Sequence, residues 1–249
     1  MKATAATVCA VLAAVASGCG SSGSQSTAAS PTTPAPIQGT YAPSIDAANF
    51  VATVDNKYFP LEPGTAFHYE GTKGKTPQTD DMVVTHRKVR ILGIPATAVL
   101  DTVSAHGRAI ERTFDYYAQD KQGNVWYLGE DSYEREHGRF VKADDSWRSG
   151  VDGAQPGIIM LANPRTGASY RQEYYPPKAL DEARVLGMRG PVEVPYRRFE
   201  QALATSEFSP AEPQTEEKYY ASGVGEISEH VVKGDHEEFR LVRVTHRAK

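Results

Sequence analysis

The sequence contains few cysteines. Only Cys9 and Cys19 occur among its 249 residues, and both lie within the first twenty. Any domain formed by the rest of the chain therefore has no internal disulfide available to it, and it must be stabilised by its core. The same absence excludes catalysis by a thiol in that domain.

The sequence also lacks a cluster of basic residues. It carries 27 Lys and Arg against 31 Asp and Glu, a formal net charge of −4. Proteins that bind nucleic acids neutralise phosphates with clustered Lys and Arg. A mildly acidic chain without such a cluster is not expected to have a nucleic-acid partner.

Motifs that would identify a reaction are missing as well. Seven histidines are present, but none forms a His-Glu-x-x-His pattern or a Cys/His zinc spacing. There is no Gly-x-Ser-x-Gly elbow, phosphate-binding loop or dinucleotide-binding glycine pattern. The sequence thus predicts no metal, no cofactor and no catalytic residue.

The N-terminus carries the most specific pattern in the chain. Lys2 precedes an uncharged apolar stretch, residues 3–16, that is too short to span a bilayer. Ala16-Ser17-Gly18-Cys19 then matches a bacterial lipobox, in which small residues precede a Cys that receives a diacylglycerol. Residues 1–18 are predicted to be a lipoprotein signal peptide. The alternative is an ordinary secretory signal with an incidental cysteine.

A low-complexity segment follows Cys19. Residues 20–40 have no charge and consist mainly of Ser, Thr, Ala, Gly and Pro. Such a composition buries too little apolar surface to offset the entropy of ordering. Residues 19–44 are predicted to be a lipidated, disordered tether, and residues 45–249 a β-rich globular domain. This organisation predicts an extracytoplasmic protein, anchored to the cell membrane through Cys19.

Aromatic residues and turn signals predict the fold of that domain. The chain has 13 Tyr, eight Phe and two Trp, which suit half-buried strands. Residues 111–130 and 216–232 each predict a β-hairpin, and residues 236–246 a last strand. Pro177–Val185 and Arg198–Thr205 are candidate short helices. The prediction is a mainly β, single-domain, curved antiparallel meander, a half-barrel or barrel, with one or two short helices.

Several segments resemble known proteins. They are NKYFPLEPGTAFHYEG, FDYYAQDKQGNVWYLGE, VDGAQPGIIM, RQEYYP and EKYYASGVGEI, which cover most of residues 55–230. They resemble an uncharacterised family of actinobacterial-type secreted lipoproteins, which has no assigned activity and implies no functional residues. YYASGVGEI is also similar to a strand-turn-strand element of half-barrel envelope lipoproteins, a class that includes lipid carriers. That resemblance implies a concave antiparallel sheet.

Aromatic pairs and one apolar run suggest where a ligand could bind. Three Tyr-Tyr pairs occur on predicted strands, and a Gly/Pro loop precedes the apolar residues 158–162. If residues 131–215 cover a half-barrel, a gap between that sheet and residues 150–175 would suit a lipid-like ligand. Its predicted wall comprises Tyr116, Trp126, Ile159, Met160 and Tyr174. The simpler alternatives are cross-strand aromatic packing and a loop that enters a buried central strand.

Three hypotheses for function remain open at this stage. The leading one is a membrane-tethered, non-enzymatic binder of an apolar or amphipathic ligand, or of an envelope partner. The second is an extracytoplasmic hydrolase whose site combines His and Asp or Glu distant in sequence. The third is a structural surface protein, which predicts no sizeable pocket.

Overall fold

A computed structural model of the chain describes residues 34–246. The predicted signal peptide, Cys19 and the first part of the predicted tether lie outside the described residues. The division of the chain into signal peptide, tether and domain therefore stays a prediction.

The described chain is built almost entirely of β-strands. Their bounds are β1 (Asp55–Asn56), β2 (Phe59–Pro60), β3 (Thr65–Lys73), β4 (Thr76–Ile91), β5 (Ile94–Asp101), β6 (Val103–Ala105), β7 (Arg108–Ala109), β8 (Glu111–Gln119), β9 (Val125–Glu136), β10 (Arg139–Lys142), β11 (Trp147–Arg148), β12 (Gln155–Met160), β13 (Ser169–Arg171), β14 (Glu173–Tyr174), β15 (Glu182–Arg189), β16 (Val192–Val194), β17 (Arg197–Phe199), β18 (Ala202–Phe208), β19 (Thr215–Ala221), β20 (Gly225–Lys233) and β21 (Glu237–His246).

The strands form a closed antiparallel barrel, which confirms the predicted fold class. Neighbours in the wall mostly follow chain order, and β21 closes the barrel by pairing with β3 from Glu237↔Lys73 to His246↔Thr65. This closure pairs β3 with β21, which would otherwise be open edges and templates for aggregation. The segment 131–215 does not cover a half-barrel, because β12, β15 and β18 within it are wall strands.

Both predicted hairpins are present. β8 and β9 pair across the turn at Asp120, whose side chain accepts hydrogen bonds from the Asn124 backbone N–H (2.9 Å) and from Trp126 Nε1 (2.8 Å). Gly123 lies in this turn with φ +95°, a conformation that glycine adopts readily. β19 and β20 form the second hairpin, and β21 is the predicted last strand.

The two predicted helices are wrong. Residues 182–185 of the first begin β15, and residues 202–205 of the second begin β18, its hydrogen-bonded neighbour. All seven residues of β18 are buried. Local helix propensity is worth a few tenths of a kcal/mol per residue. Burial of both faces of a central strand outweighs it. Within the described residues, the helical structure is a 3-10 turn at Ala47–Asn49.

Apolar side chains pack on both faces of the wall. The main core lies in the barrel interior and includes Tyr117, Tyr127 and Leu241. A second, smaller core lies on the outer face of β4, β5, β8 and β9, around Tyr116 and Leu128. Residues before β1 cover this outer core with Ile45, Ala47 and Phe50.

A short hairpin closes one end of the barrel. Strands β1 and β2 pair with each other, and Val54, Tyr58 and Leu61 around them are buried in the main core. The backbone N–H of Gly223, in the β19–β20 turn, donates to Lys57 O (2.8 Å). We call residues 54–61 the plug, and that end of the barrel the plug end. The β3–β4 turn lies at the opposite end.

Residues 37–50 form an outer strap that crosses the barrel wall. The backbone N–H of Ile37 donates to Glu182 Oε2 (2.7 Å), and Ile37 O accepts from Arg171 Nη2 (2.6 Å). The Tyr41 hydroxyl donates to Pro156 O (2.8 Å), and its ring lies 5.2 Å from that of Tyr174. Ile37, which forms these hydrogen bonds to the barrel, lies within the segment for which a tether is predicted.

Candidate functional site

The barrel interior contains a cavity of about 340 Å³ between the plug and the inner faces of β3, β4, β5, β8, β9 and β19–β21. Eight carboxyl side chains line it: Asp80, Asp101, Glu111, Asp115, Glu130, Glu226, Glu229 and Glu237. Lys218 is the basic residue of the lining. An acidic interior of this kind is unusual, since ionised carboxylates are costly to remove from water.

Strand alternation explains how these carboxyls come together. Successive side chains of a strand point to opposite faces, so positions two apart share a face. Asp80 and Met82 of β4 both line the cavity, as do Thr113 and Asp115 of β8. Their neighbours in sequence face outward, and Asp81 pairs there with His68 at 2.7 Å.

Carboxyls and apolar side chains occur towards both ends of the cavity. Glu111 and Glu237 begin their strands near the β3–β4 turn, since Glu237 pairs with Lys73. Phe59, Leu61 and Val224 line the cavity at the plug end. Phe239, opposite Gly71, also lies towards the β3–β4 turn, and Asp115 also lies towards the plug, since it pairs with Val99 and Val99 with Val84. A molecule that occupied the whole cavity would therefore meet both carboxyls and hydrocarbon along its length.

Asp80 and Asp101 form a hydrogen-bonded carboxyl pair. Two carboxylates in contact share a proton, because both cannot ionise at low cost. Burial raises the pKa of Asp80 to about 7. Burial and the nearby Asp80 charge raise the pKa of Asp101 well above its usual range. Asp80 Oδ1 is buried and has no hydrogen-bond partner among the described residues.

A second carboxyl pair is bridged by a phenol. The Tyr127 hydroxyl lies 2.5 Å from Asp115 Oδ1 and 2.8 Å from Glu130 Oε2. A phenol has one proton to donate. The other contact therefore requires that one of the two carboxyls is protonated. In agreement, burial raises the pKa of Asp115 to about 7 and that of Glu130 to about 8.

Lys218 neutralises a separate group of carboxylates. Its Nζ lies 2.8 Å from Glu229 Oε2 and 3.9–4.0 Å from carboxylate oxygens of Glu207, Glu216 and Glu226. Burial disfavours the charged ammonium, but these carboxylates outweigh it and raise the pKa of Lys218 well above its usual range. Burial nevertheless raises the pKa of Glu226 to about 8.

None of the five residues predicted to bind a ligand lines this cavity. Tyr116 and Trp126 belong to the outer core, where the Tyr116 hydroxyl donates to Asp131 Oδ2 (2.8 Å). Their partners in sequence, Tyr117 and Tyr127, are the ones that face inward. Strand register decides which member of each pair faces inward, and composition cannot supply it.

The other three predicted residues lie in two places. Met160 is fully buried in the main core, and Ile159 packs against that core. Tyr174 lies under the strap beside Tyr41 and Arg171. The structure thus places the five residues in three regions, with Tyr116 and Trp126 in the outer core, Ile159 and Met160 at the main core, and Tyr174 under the strap. A role for these five as ligand contacts stays a prediction, separate from the cavity.

Sequence reasoning missed the carboxyls that line the cavity. A signal was available in β8, where Glu111, Thr113 and Asp115 alternate on the face that also carries the inward Tyr117. Polar residues at alternate positions are ordinarily assigned to the solvent face. The inward carboxyls reverse that rule.

The described residues contain neither a metal-binding group nor a membrane-spanning helix. In residues 34–246, no group of three or more His, Cys, Asp or Glu side chains is arranged to hold a metal ion. The same part of the chain contains no helix that is long and apolar enough to cross a membrane.

Comparison with known proteins adds distant structural likenesses. No protein-family model and no curated protein matches the chain. A Bacteroides fragilis protein described as exported, with a YmcC-like fold, is 12% identical and aligns over 76% of this chain and 99% of its own, with a TM-score of 0.43. A protein of Parabacteroides distasonis described as a lipoprotein is 10% identical over 77% of this chain and 100% of its own, with a TM-score of 0.40. At these TM-scores neither likeness carries an argument about this chain.

Proposed function

We propose that the chain is an exported lipoprotein that holds an amphipathic small molecule inside its barrel. The observation that carries this proposal is the cavity of about 340 Å³, whose lining combines carboxyls with apolar side chains. Ligand cavities in proteins typically measure about 300–1,000 Å³ and combine apolar walls with a few polar groups. A cavity of this size also favours binding over a purely structural role.

If the ligand binds in the cavity, a larger side chain that fills the cavity should block binding. Val103 lines the cavity, so Val103→Trp is expected to abolish ligand binding by occupying its volume. Val141 is 45% exposed on the outer strand β10, and Val141→Trp serves as the matched control. Native mass spectrometry of the full chain in lipid nanodiscs should detect a bound amphiphile in the wild type and in the control, and lose it in Val103→Trp. An adduct that persists in Val103→Trp would place the ligand elsewhere.

A hydrolase is the second candidate, and the Asp80–Asp101 pair is the observation that favours it. A protonated and an ionised carboxyl in contact can act as general acid and general base. The same mass spectra distinguish the candidates. An intact amphiphile supports a binding protein, whereas accumulation of its cleaved product supports an enzyme.

The anchor at Cys19 is part of the proposal and has its own test. The lipobox requires the Cys19 thiol to receive the lipid, so Cys19→Ala is expected to move the protein from the membrane fraction to the soluble extracytoplasmic fraction, or to block its processing. Fractionation followed by electrophoresis measures both effects. A variant of unchanged size that stays in the membrane fraction would contradict the lipid anchor.

A further inference from the structure

The carboxyls of the cavity are not equally neutralised. Lys218 pairs with Glu226 and Glu229 of the lining, and Lys73 Nζ holds Glu237 at 3.1 Å. The remaining five have no ion pair with a basic side chain among the described residues: Asp80, Asp101, Glu111, Asp115 and Glu130. These five belong to β4, β5, β8 and β9, which are consecutive neighbours in the wall. The carboxyls that lack a basic partner are thus concentrated on one side of the cavity.

Asp80 is the member of this group that has a buried oxygen without a hydrogen bond. Its Oδ1 is buried without a hydrogen-bond partner among residues 34–246. Across the wall it is paired with Tyr69 on β3 and with Val103 on β6. The Tyr69 hydroxyl donates to Glu226 O (3.1 Å), so it is not directed at Asp80. A buried acceptor without a donor costs about 1–3 kcal/mol, which a bound donor would recover.

Apolar side chains lie next to this acceptor. Met82 follows Asp80 on the same face of β4, and Phe67 and Phe239 also line the cavity. An inorganic cation would gain nothing from these neighbours. An organic cation with a hydrocarbon body would meet carboxyls and apolar wall at once.

We infer that the ligand is a small organic ammonium, with its cationic head at the Asp80–Asp101 pair and its hydrocarbon body along Met82, Val103 and Phe67. This inference rests on the proposed function and specifies the charge of the ligand. The ammonium supplies N–H donors to Asp80 Oδ1 and a positive charge to the side of the cavity that Lys218 does not neutralise. Its hydrocarbon body displaces water from the apolar wall.

Three probes of equal chain length separate charge from apolar contact. Hexylammonium, hexanol and hexanoate are titrated by calorimetry into the full chain in nanodiscs at pH 7.5, with empty nanodiscs as the blank. An alkylammonium is cationic at this pH, like the side chain of lysine. Hexylammonium is expected to bind at least tenfold more tightly than hexanol, and hexanoate to bind least.

Two neighbouring aspartates provide the matched variants. Asp80→Asn is expected to weaken hexylammonium about tenfold or more and to leave hexanol within about twofold, since a charged hydrogen bond discriminates by that order. Asp81 lies on the outer face, bonded to His68, and Asp81→Asn should change neither affinity. Binding of the cation should also release protons from the cavity, measured as a dependence of the heat on the ionisation enthalpy of the buffer.

The outcomes distinguish the inference from the function on which it rests. Equal affinities for hexylammonium and hexanol, both lost in Val103→Trp, would overturn the organic cation and leave the amphiphile binder standing. Hexylammonium binding that is insensitive to Asp80→Asn would also overturn the inference. If none of the three probes binds above the blank, both the inference and the proposed function fail.

Discussion

Replacing Lys218 by methionine is expected to lower the free energy of unfolding by about 3–5 kcal/mol at pH 7.5, because breaking a buried ion pair leaves uncompensated charge. The Lys218 ammonium lies within 4.0 Å of four carboxylates, and its side chain is only 22% exposed. Methionine keeps most of the volume, so the loss reports charge rather than a cavity. Urea denaturation measures it.

The pH dependence of this loss identifies its cause. At pH 5.5 Glu226, whose pKa burial raises to about 8, is protonated, whereas at pH 8.5 it is largely ionised and depends on the lysine for neutralisation. The destabilisation by Lys218→Met should therefore be clearly smaller at pH 5.5 than at pH 8.5. Lys75 is exposed in the β3–β4 turn, and Lys75→Met should cost less than about 0.5 kcal/mol at either pH. An equal loss at both pH values for Lys218→Met would point to packing instead of charge.

The wild-type protein is expected to become less stable as the pH rises from 5.5 to 8.5. The pKa values of Asp80 and Asp115 are raised by burial to about 7, and those of Glu130 and Glu226 to about 8. Unfolded carboxyls titrate near pH 4. Between these limits the folded state binds more protons than the unfolded state. The contribution of these groups to the free energy of unfolding is therefore fully present below about pH 4–5 and decreases as the pH rises.

The size of this effect follows from the same linkage. One unit of pKa shift corresponds to about 1.4 kcal/mol, and the four groups interact, so their contributions do not add fully. We expect a loss of about 3 kcal/mol, or about 6–12 °C in melting temperature at 2–4 °C per kcal/mol.

The other titratable groups with shifted pKa values do not reverse this loss of stability with rising pH. Burial opposes the Lys218 charge but its carboxylates raise the pKa of Lys218 above the usual value, which affects stability only at more alkaline pH. Hydrogen bonds from Tyr116, Arg148 and Lys142 overcome burial and lower the pKa of Asp131, which acts below about pH 4. Circular dichroism melts at constant ionic strength give the measurement, and a double variant, Asp115→Asn with Glu130→Gln, should flatten the curve. A melting temperature that rises between pH 5.5 and 8.5 would refute the raised pKa values.

Local sequence was sufficient to predict the hairpins, but it led to two strands being predicted as helices. The turn at Asp120 needs only residues within four positions of it, and its hydrogen bonds to Asn124 and Gly123 are local. The strands at residues 182–189 and 202–208 depend instead on pairing with each other across a 12-residue connection. Such pairing is a tertiary effect that a local pattern does not contain.

The candidate site was harder to predict for a related reason. Its carboxyls come from strands as distant in sequence as β4 and β21, and the barrel brings them together only when it closes. Register then decides whether Tyr116 or Tyr117 points inward. In addition, inward carboxyls contradict the hydrophobic alternation from which the sheet faces were assigned.

The outer strap has a mechanical consequence. If Cys19 is held in a membrane, a pull along the chain first reaches the described structure at the Ile37–Glu182 and Ile37–Arg171 hydrogen bonds and at the Tyr41 stack, all on the outside of the wall. The plug, which completes the floor of the cavity, follows only at residue 54. Load from the anchor is therefore carried by the outer surface before it can act on the plug.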